Sequence, residues 1–90
     1  MYEEELEKIY THFGPATQLK KMYEEITELK VAFNKSRGRF TKEIKEELVD
    51  VLVVGMQLYQ QNYKTLNPIV KRKIERTLMR IESRYYDRGV

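Results

Sequence analysis

Apolar residues along this chain recur at steps of three and four, which is the spacing of an amphipathic helix. After Gly14-Pro15, one such stripe consists of five residues: Leu19, Met22, Ile26, Leu29 and Phe33. Proline suits the first position of a helix, because the N–H group that it lacks would have no partner there. The sequence therefore predicts a helix that starts at Pro15 and ends near Asn34, before a loop over residues 35–39.

A second apolar stripe follows Thr41, which is a good N-cap, with Glu43 favourably placed in the first turn. Its members are Ile44, Leu48, Val51, Leu52, Gly55, Leu58 and Tyr59. Residues 49–54 contain four valines, which favour a strand. Strict alternation is missing, however, and the helical spacing continues on both sides of the valines. The pattern therefore favours a second helix.

A third helix is predicted to start at Asn67-Pro68, as N-cap and first helical residue. Its apolar stripe is Val70, Ile74, Leu78, Ile81 and Tyr85. Residues 2–10 predict a short leading helix, and three apolar residues near it are candidates to pack inward: Leu6, Ile9 and Phe13. The expected fold is all-α, with a single domain over residues 1–90. In it, three main helices form an antiparallel bundle with a short N-terminal helix in front.

Composition limits how such a bundle is stabilised. A domain of 90 residues buries a modest core and is often only marginally stable alone. The absence of cysteine excludes disulfides, thiolate metal sites and cysteine nucleophiles, and it fits a reducing cytoplasm. Oligomerisation is then one way to bury more surface. No apolar run approaches the roughly 20 residues of a membrane span, and the acidic residues 3–5 are unlike a secretory signal. We therefore expect a soluble cytoplasmic protein.

Charge is distributed unevenly, although the formal net charge of +3 is too small to name a partner. The first 30 residues lean acidic, and residues 71–88 are strongly basic. In the basic segment, four cationic residues recur at steps of three and four: Lys73, Arg76, Arg80 and Arg84. Such a ridge can contact successive phosphate oxygens. It can also be a solvated helix face, and the spacing leaves both interpretations open.

Two acidic pairs are the most informative feature of the chain. Glu25 and Glu28 lie three residues apart on the first long helix, and Glu47 and Asp50 do so on the second, so each pair shares a helix face. Both pairs flank the apolar stripe of their helix. If the helices pack antiparallel through those stripes, the four carboxylates converge on one edge of the seam. Ionised carboxylates at close range repel one another, so such a cluster favours a hard divalent cation: magnesium, with manganese as an alternative. Acidic pairs on a solvated helix surface are the competing interpretation.

These residues also form a motif. Glu24-Glu25-x-x-Glu28, followed about twenty residues later by Glu47-x-x-Asp50, resembles the signature of the all-α nucleoside triphosphate pyrophosphohydrolases. That superfamily includes MazG, the dimeric dUTPases and phosphoribosyl-ATP pyrophosphohydrolase. Further similarities to MazG-like proteins extend the resemblance over roughly residues 12–84: Gly14, Gln18, Leu29, the apolar continuation after Asp50, and Lys73.

The resemblance implies a function and roles for individual residues. It implies magnesium-dependent hydrolysis of a (deoxy)nucleoside triphosphate between the α and β phosphates, by a helical homodimer or homotetramer. Glu25, Glu28, Glu47 and Asp50 would be the metal ligands, and Glu24 would be an auxiliary residue that positions or deprotonates the attacking water. Candidate substrate contacts are Gln18 and Lys21 on the first long helix, with Lys73, Arg76 and Arg80 on the third.

Three rival functions remain open at this stage. Phosphoribosyl-ATP hydrolysis uses a similar arrangement of motifs. A nucleic-acid-binding or dimerisation module without enzymatic activity would use the basic third helix, although the acidic pairs disfavour it because they repel a phosphate backbone. A degenerate member of the superfamily would bind metal or nucleotide without turnover.

Overall fold

The computed structural model describes the backbone of residues 1–89 and the side chains of residues 1–83. Four helices follow one another along the chain: α1 (Glu3–Phe13), α2 (Pro15–Ser36), α3 (Lys42–Gln61) and α4 (Tyr63–Gly89). No strand occurs within residues 1–89. The all-α prediction is therefore confirmed, and the valines of α3 lie in a helix.

The predicted boundaries of α2 and α3 are close to the observed ones. Pro15 is the first residue of α2, preceded by Gly14 at a φ of 86°, where glycine is favoured. The helix ends at Ser36, two residues later than predicted, and the chain then turns through Arg37 in the left-handed region. At the start of α3, Thr41 Oγ1 accepts a hydrogen bond from Ile44 N at 3.2 Å, which confirms the predicted N-cap.

The predicted start of α4 at Asn67-Pro68 was wrong. The helix begins at Tyr63 and contains Pro68. The carbonyl of Asn62 accepts hydrogen bonds from Thr65 N at 3.1 Å and Leu66 N at 2.9 Å, and these form the first turn before the proline is reached. The Asn67 side chain does not cap a helix. It accepts a hydrogen bond from the Tyr59 hydroxyl at 2.7 Å, which ties α4 to α3.

Helices α2 and α3 form an antiparallel pair, and α1 packs across both of them. Gln18 near the start of α2 meets Gln57 near the end of α3. A Cβ atom placed on Gly55 would lie 3.3 Å from Met22 Cε, so the lack of a side chain at Gly55 allows this close approach. Leu6 of α1 is buried, whereas Ile9 and Phe13, which were also candidates to pack inward, keep substantial exposure.

Large parts of the predicted apolar stripes of α2 and α4 stay exposed within the single chain. Ile26 is 49 % exposed and Phe33 is 61 % exposed, and only four apolar side chains are buried among the described residues: Leu6, Ala32, Ile44 and Val54. The radius of gyration is 16.8 Å, whereas a compact domain of this length has about 12 Å. The chain by itself therefore buries little of the apolar surface that its sequence provides.

Helix α4 accounts for much of this exposure. It contacts α3 and no other helix among the described residues. Its apolar stripe is exposed from Val70 to Ile81, and the side chains of Tyr85 and Arg84 lie outside the described residues. Over the described part of the chain, no helix has the length and apolar character required to cross a membrane.

Candidate metal centre

The structure brings the two acidic pairs together on the α2–α3 pair. Glu25 and Glu28 project from α2, and Glu47 and Asp50 project from α3. Each offers one carboxylate oxygen, and these four oxygens lie within 4.8 Å of one another. Oxygens on opposite sides of a magnesium octahedron are about 4.2 Å apart, since each lies about 2.1 Å from the ion. Small side-chain rotations therefore suffice to close this set around one ion.

The centre has a closed side and an open side. Glu25 is 5 % exposed and lies in the seam between α2 and α3, while Glu47 is half-buried. Glu28 and Asp50 are exposed. Glu25 therefore lies inside the α2–α3 seam, and the exposed Glu28 and Asp50 lie at its edge. The buried residues of α2 are small or polar, namely Gln18, Glu25, Ala32 and Ser36.

Two buried oxygens in the centre have no hydrogen-bond partner among the described residues: Glu25 Oε2 and Glu47 Oε2. A buried polar atom left without a partner costs free energy, and the cost is larger for a charged group. Burial raises the pKa of Glu47, and hydrogen bonding with Glu28 and the charges of Glu28, Asp50 and Glu25 raise it further. The centre therefore accumulates negative charge that the protein alone does not fully compensate.

Lys21 provides partial compensation. Its Nζ lies 2.8 Å from Glu25 Oε1, one helical turn away on α2. The hydrogen bond to Glu25, with the charge of Glu25 acting in the same direction, raises the pKa of Lys21. One ammonium group leaves a set of four carboxylates with an excess of negative charge. Oxygen-only ligands of this kind suit magnesium, manganese or calcium and are poorly suited to soft metals, so the donor set fits the expected ion.

The other predicted site residues are distributed unevenly around this centre. Glu24 is exposed on α2 and is not part of the four-carboxylate cluster. Gln18 is buried, and its Nε2 donates a hydrogen bond to Gln57 Oε1 at 2.7 Å. The basic side chains of α4 are exposed, on a helix that contacts only α3 within the described part of the chain: Lys73, Arg76 and Arg80. The structure thus brings Lys21 to the carboxylates and does not bring these three.

Gln57, which is only 1 % exposed, was not among the predicted site residues. Its Oε1 accepts the hydrogen bond from Gln18, and its Nε2 donates to the carbonyl of Val53 at 3.2 Å. A signal was present in the sequence, because Gln57 interrupts the otherwise apolar run of residues 51–58. A polar residue on the inner face of a helix calls for a partner, and the only uncharged long polar residue on the matching part of α2 is Gln18.

A cavity of about 400 Å³ adjoins the four-carboxylate cluster. Glu25 and Asp50 line it at the carboxylates, and Ile9 and Phe13 of α1 contribute apolar surface to it. Comparisons with protein-family models, with curated proteins and with solved structures found no match for this chain. Its function is therefore inferred from the centre, the cavity and the motif that contains the four carboxylates.

Proposed function

We propose that this chain is a magnesium-dependent nucleoside triphosphate pyrophosphohydrolase. The reaction would consume one water, break the bond between the α and β phosphates, and give a nucleoside monophosphate and pyrophosphate. The observation that carries the proposal is the four-carboxylate centre, in which two buried oxygens lack a hydrogen-bond partner in the described part of the chain. The order and spacing of its residues, which resemble the superfamily signature, connect this centre to triphosphate chemistry.

The bound divalent ion would lower the pKa of a water and neutralise charge that develops on the phosphates. The protein's part is to hold its oxygens in place before the substrate arrives. Glu25 and Glu47 present their buried oxygens from the closed side of the centre, and Glu28 and Asp50 present theirs from the side that a triphosphate can approach. All four lie within regular helices, whose backbones keep these positions fixed.

Lys21 is suited to a second task at the same centre. Its ammonium group pairs with Glu25 Oε1 while its side chain remains about half exposed. With Glu25 serving as a metal ligand, Lys21 would be able to pair with a phosphate oxygen of the substrate. Glu24 remains the proposed auxiliary acceptor of the water's proton, although its position outside the cluster means that another helix or another subunit has to bring the substrate within its reach.

We further propose that a homodimer or homotetramer completes the bundle. A groove of about 620 Å³ runs along α2 and α3, with Ile26, Phe33 and Phe40 exposed along it. The exposed apolar stripe of α4 is a second uncovered surface. Packing between copies would cover both surfaces, and a partner's basic ridge could then approach the triphosphate. Contiguous apolar patches of this kind commonly mark subunit interfaces.

The direct test is pyrophosphate release across a panel of ribonucleoside and deoxynucleoside triphosphates, with magnesium, manganese or EDTA. Glu25→Gln and Asp50→Asn are expected to lose metal-dependent release while keeping their helical content. Glu43→Gln, an exposed carboxylate of α3 outside the centre, is the matched control and should retain activity. The panel includes phosphoribosyl-ATP, and a gel-shift assay with DNA and RNA tests the non-enzymatic rival.

The results of this panel separate the candidates. Turnover of several triphosphates that stops in EDTA supports the proposal. Turnover of phosphoribosyl-ATP alone would replace it with the biosynthetic activity, and salt-sensitive nucleic-acid binding without pyrophosphate release would replace it with a binding module. Equal turnover in wild type, Glu25→Gln and Asp50→Asn would mean that the four carboxylates are not the active centre.

A further inference from the structure

The cavity beside the metal centre has the dimensions and lining of a binding site for a small organic molecule. Its volume of about 400 Å³ falls within the range of about 300–1,000 Å³ typical of such sites. It is continuous with the carboxylates, because Glu25 and Asp50 line it. Phosphates bound at the carboxylates would therefore place the rest of a nucleotide at the cavity.

The walls away from the carboxylates are mainly apolar. Ile9 and Phe13 come from α1, and Val53 and Val54 come from α3. Ile9, Phe13 and Val53 each leave more than a third of their surface exposed, although they lie beside one another around a concave surface. A flat aromatic ring can contact branched aliphatic side chains on its face and a phenyl ring at its edge. This lining suits a nucleobase better than it suits a polyphosphate chain.

A fixed pair of amides completes the lining. Gln57 Nε2 donates to the carbonyl of Val53, which sets the orientation of the Gln57 amide and leaves its Oε1 to accept from Gln18 Nε2. Both glutamines line the cavity, and both are at least 95 % buried. Since neither amide can rotate without breaking this chain of hydrogen bonds, the polar groups of the wall have a defined pattern of donors and acceptors. Fixed buried polar groups discriminate strongly between ligands, because a mismatched ligand leaves them unpaired.

We propose that this cavity is the nucleoside subsite of the protein, and that the Gln18–Gln57 pair determines which base it accepts. The proposal rests on the proposed function in that it takes the substrate to be a nucleotide. The base packs against Ile9, Phe13 and Val53, its polar edge meets the amide pair, and the triphosphate extends toward the carboxylates. Lys21, which also lines the cavity, lies where the nucleoside and phosphate parts of the ligand meet.

The test uses the uncharged ligands deoxyadenosine, deoxyguanosine, deoxycytidine and thymidine, so that binding requires neither metal nor hydrolysis. Each is titrated in EDTA against the full-length protein with labelled methyl groups, and deoxyribose is the control ligand. At least one nucleoside is expected to give saturable shifts of the methyl signals of Ile9, Val53 and Val54. Deoxyribose should give none, and the methyl signals of Ile74 and Leu78 on α4 should not move.

Substitutions in the cavity wall, with a matched control outside it, locate the binding. Val53→Arg fills the cavity from a partly exposed position and should weaken binding at least tenfold, which corresponds to about 1.4 kcal/mol. Val31→Arg makes the same change at an exposed position of α2 away from the cavity and should bind as the wild type does. Gln57→Leu should change the order of preference among the four nucleosides. If Val53→Arg does not fold, Phe13→Ala, at an exposed position, tests the same wall.

The outcomes separate this proposal from the proposed function. Nucleoside binding at these methyl groups without pyrophosphate release from any triphosphate supports the subsite and overturns the hydrolase. Pyrophosphate release with no shift at the cavity overturns the subsite alone. Shifts that persist unchanged in Val53→Arg, or an order of preference that Gln57→Leu leaves intact, also overturn it. A cavity that a second copy of the chain covers would give no nucleoside shifts and counts against the proposal.

Discussion

Replacement of Glu25 by glutamine should stabilise the metal-free protein, although Glu25 is among its most buried residues. Within residues 1–83, whose side chains the structure describes, buried Glu25 Oε2 has no hydrogen-bond partner, and it lies next to three further carboxylates. Removing the charge removes the free-energy cost of keeping a charged oxygen away from water and the repulsion by the neighbouring carboxylates. An amide of the same shape can also donate a hydrogen bond to a neighbouring carboxylate. Lys21 loses its partner, but its side chain is about half exposed and can be solvated, so this loss costs little.

The magnitude follows from the cost of an unsatisfied buried group, which is about 1–3 kcal/mol and larger for charged groups. Glu25→Gln should therefore raise the free energy of unfolding in EDTA by at least about 1 kcal/mol, which corresponds to a Tm increase of about 4–8 °C for a domain of this size. In magnesium the order of stability should reverse, so that the wild type is more stable than Glu25→Gln. The wild type gains about 2.7 kcal/mol when the ion is present at 100 times its Kd, and the variant, which lacks one ligand, gains much less.

The assay is thermal unfolding monitored by circular dichroism, in EDTA and in magnesium, at one protein concentration. Glu43→Gln is the control and should respond to magnesium as the wild type does. The informative result is a change of sign in the Tm difference between Glu25→Gln and wild type when EDTA is replaced by magnesium. If Glu25 only supported packing, its replacement would lower the Tm in both conditions. A Glu25→Gln variant that is less stable than wild type in EDTA would refute the reasoning about the unpartnered oxygen. A wild type that magnesium does not stabilise would refute the metal centre.

Three further predictions concern pH, capping and assembly. Because the pKa of Glu47 is raised above its usual 4.5, the folded metal-free protein holds this proton more tightly than the unfolded chain. Its contribution to stability is therefore present below pH 4.5 and is lost as pH rises through the folded pKa. In urea unfolding without metal, the free energy of unfolding of the wild type should fall relative to that of Glu47→Gln as pH rises over this range. Parallel pH curves for the two proteins would contradict the prediction. Thr41→Ala should cost about 1 kcal/mol in urea unfolding through loss of the N-cap of α3, and an unchanged midpoint would show that the cap is dispensable. Ile26→Glu, in the exposed groove, should shift light scattering from an oligomer toward the monomer, and an unchanged mass would place the interface elsewhere.

The sequence allowed prediction of those parts of the fold that local physics determines. Pro15 and Thr41 mark helix starts because each acts on the backbone within one turn. The two acidic pairs were found for a similar reason, since an i, i+3 spacing fixes a shared face whatever the helix packs against. The start of α4 was missed because Asn67 is used by a tertiary contact, the hydrogen bond from Tyr59, and a signal for capping cannot reveal that.

The position of the seam could not be predicted from apolar periodicity. The largest apolar residues of α2 define the stripe, and that stripe was expected to face α3. One member, Met22, does approach Gly55 of α3, but the buried residues of α2 include Gln18, Glu25 and Ala32, while Ile26 and Phe33 stay exposed. A helical wheel treats all apolar burial as equivalent, so it does not distinguish a face that packs within the chain from one that remains free for another chain. For the same reason the helical wheel did not predict that Gln57 is buried.

Under the proposed function, a seam with polar residues at its centre couples folding to metal binding and to assembly. The contact between α2 and α3 includes a buried carboxylate and an amide pair, while several large apolar side chains of the two helices, such as Ile26, Phe33 and Leu52, remain exposed. In the proposed oligomer with its bound ion, the ion and the contacts between copies would both add to the stability that the seam supplies. Anything that binds only the folded state stabilises it by mass action. Raising either the magnesium or the protein concentration should therefore raise the Tm, and the two effects should add if the ion and the second copy bind independently. A Tm that stays constant over a hundredfold range of protein concentration would show that a single chain is stable with its apolar faces exposed.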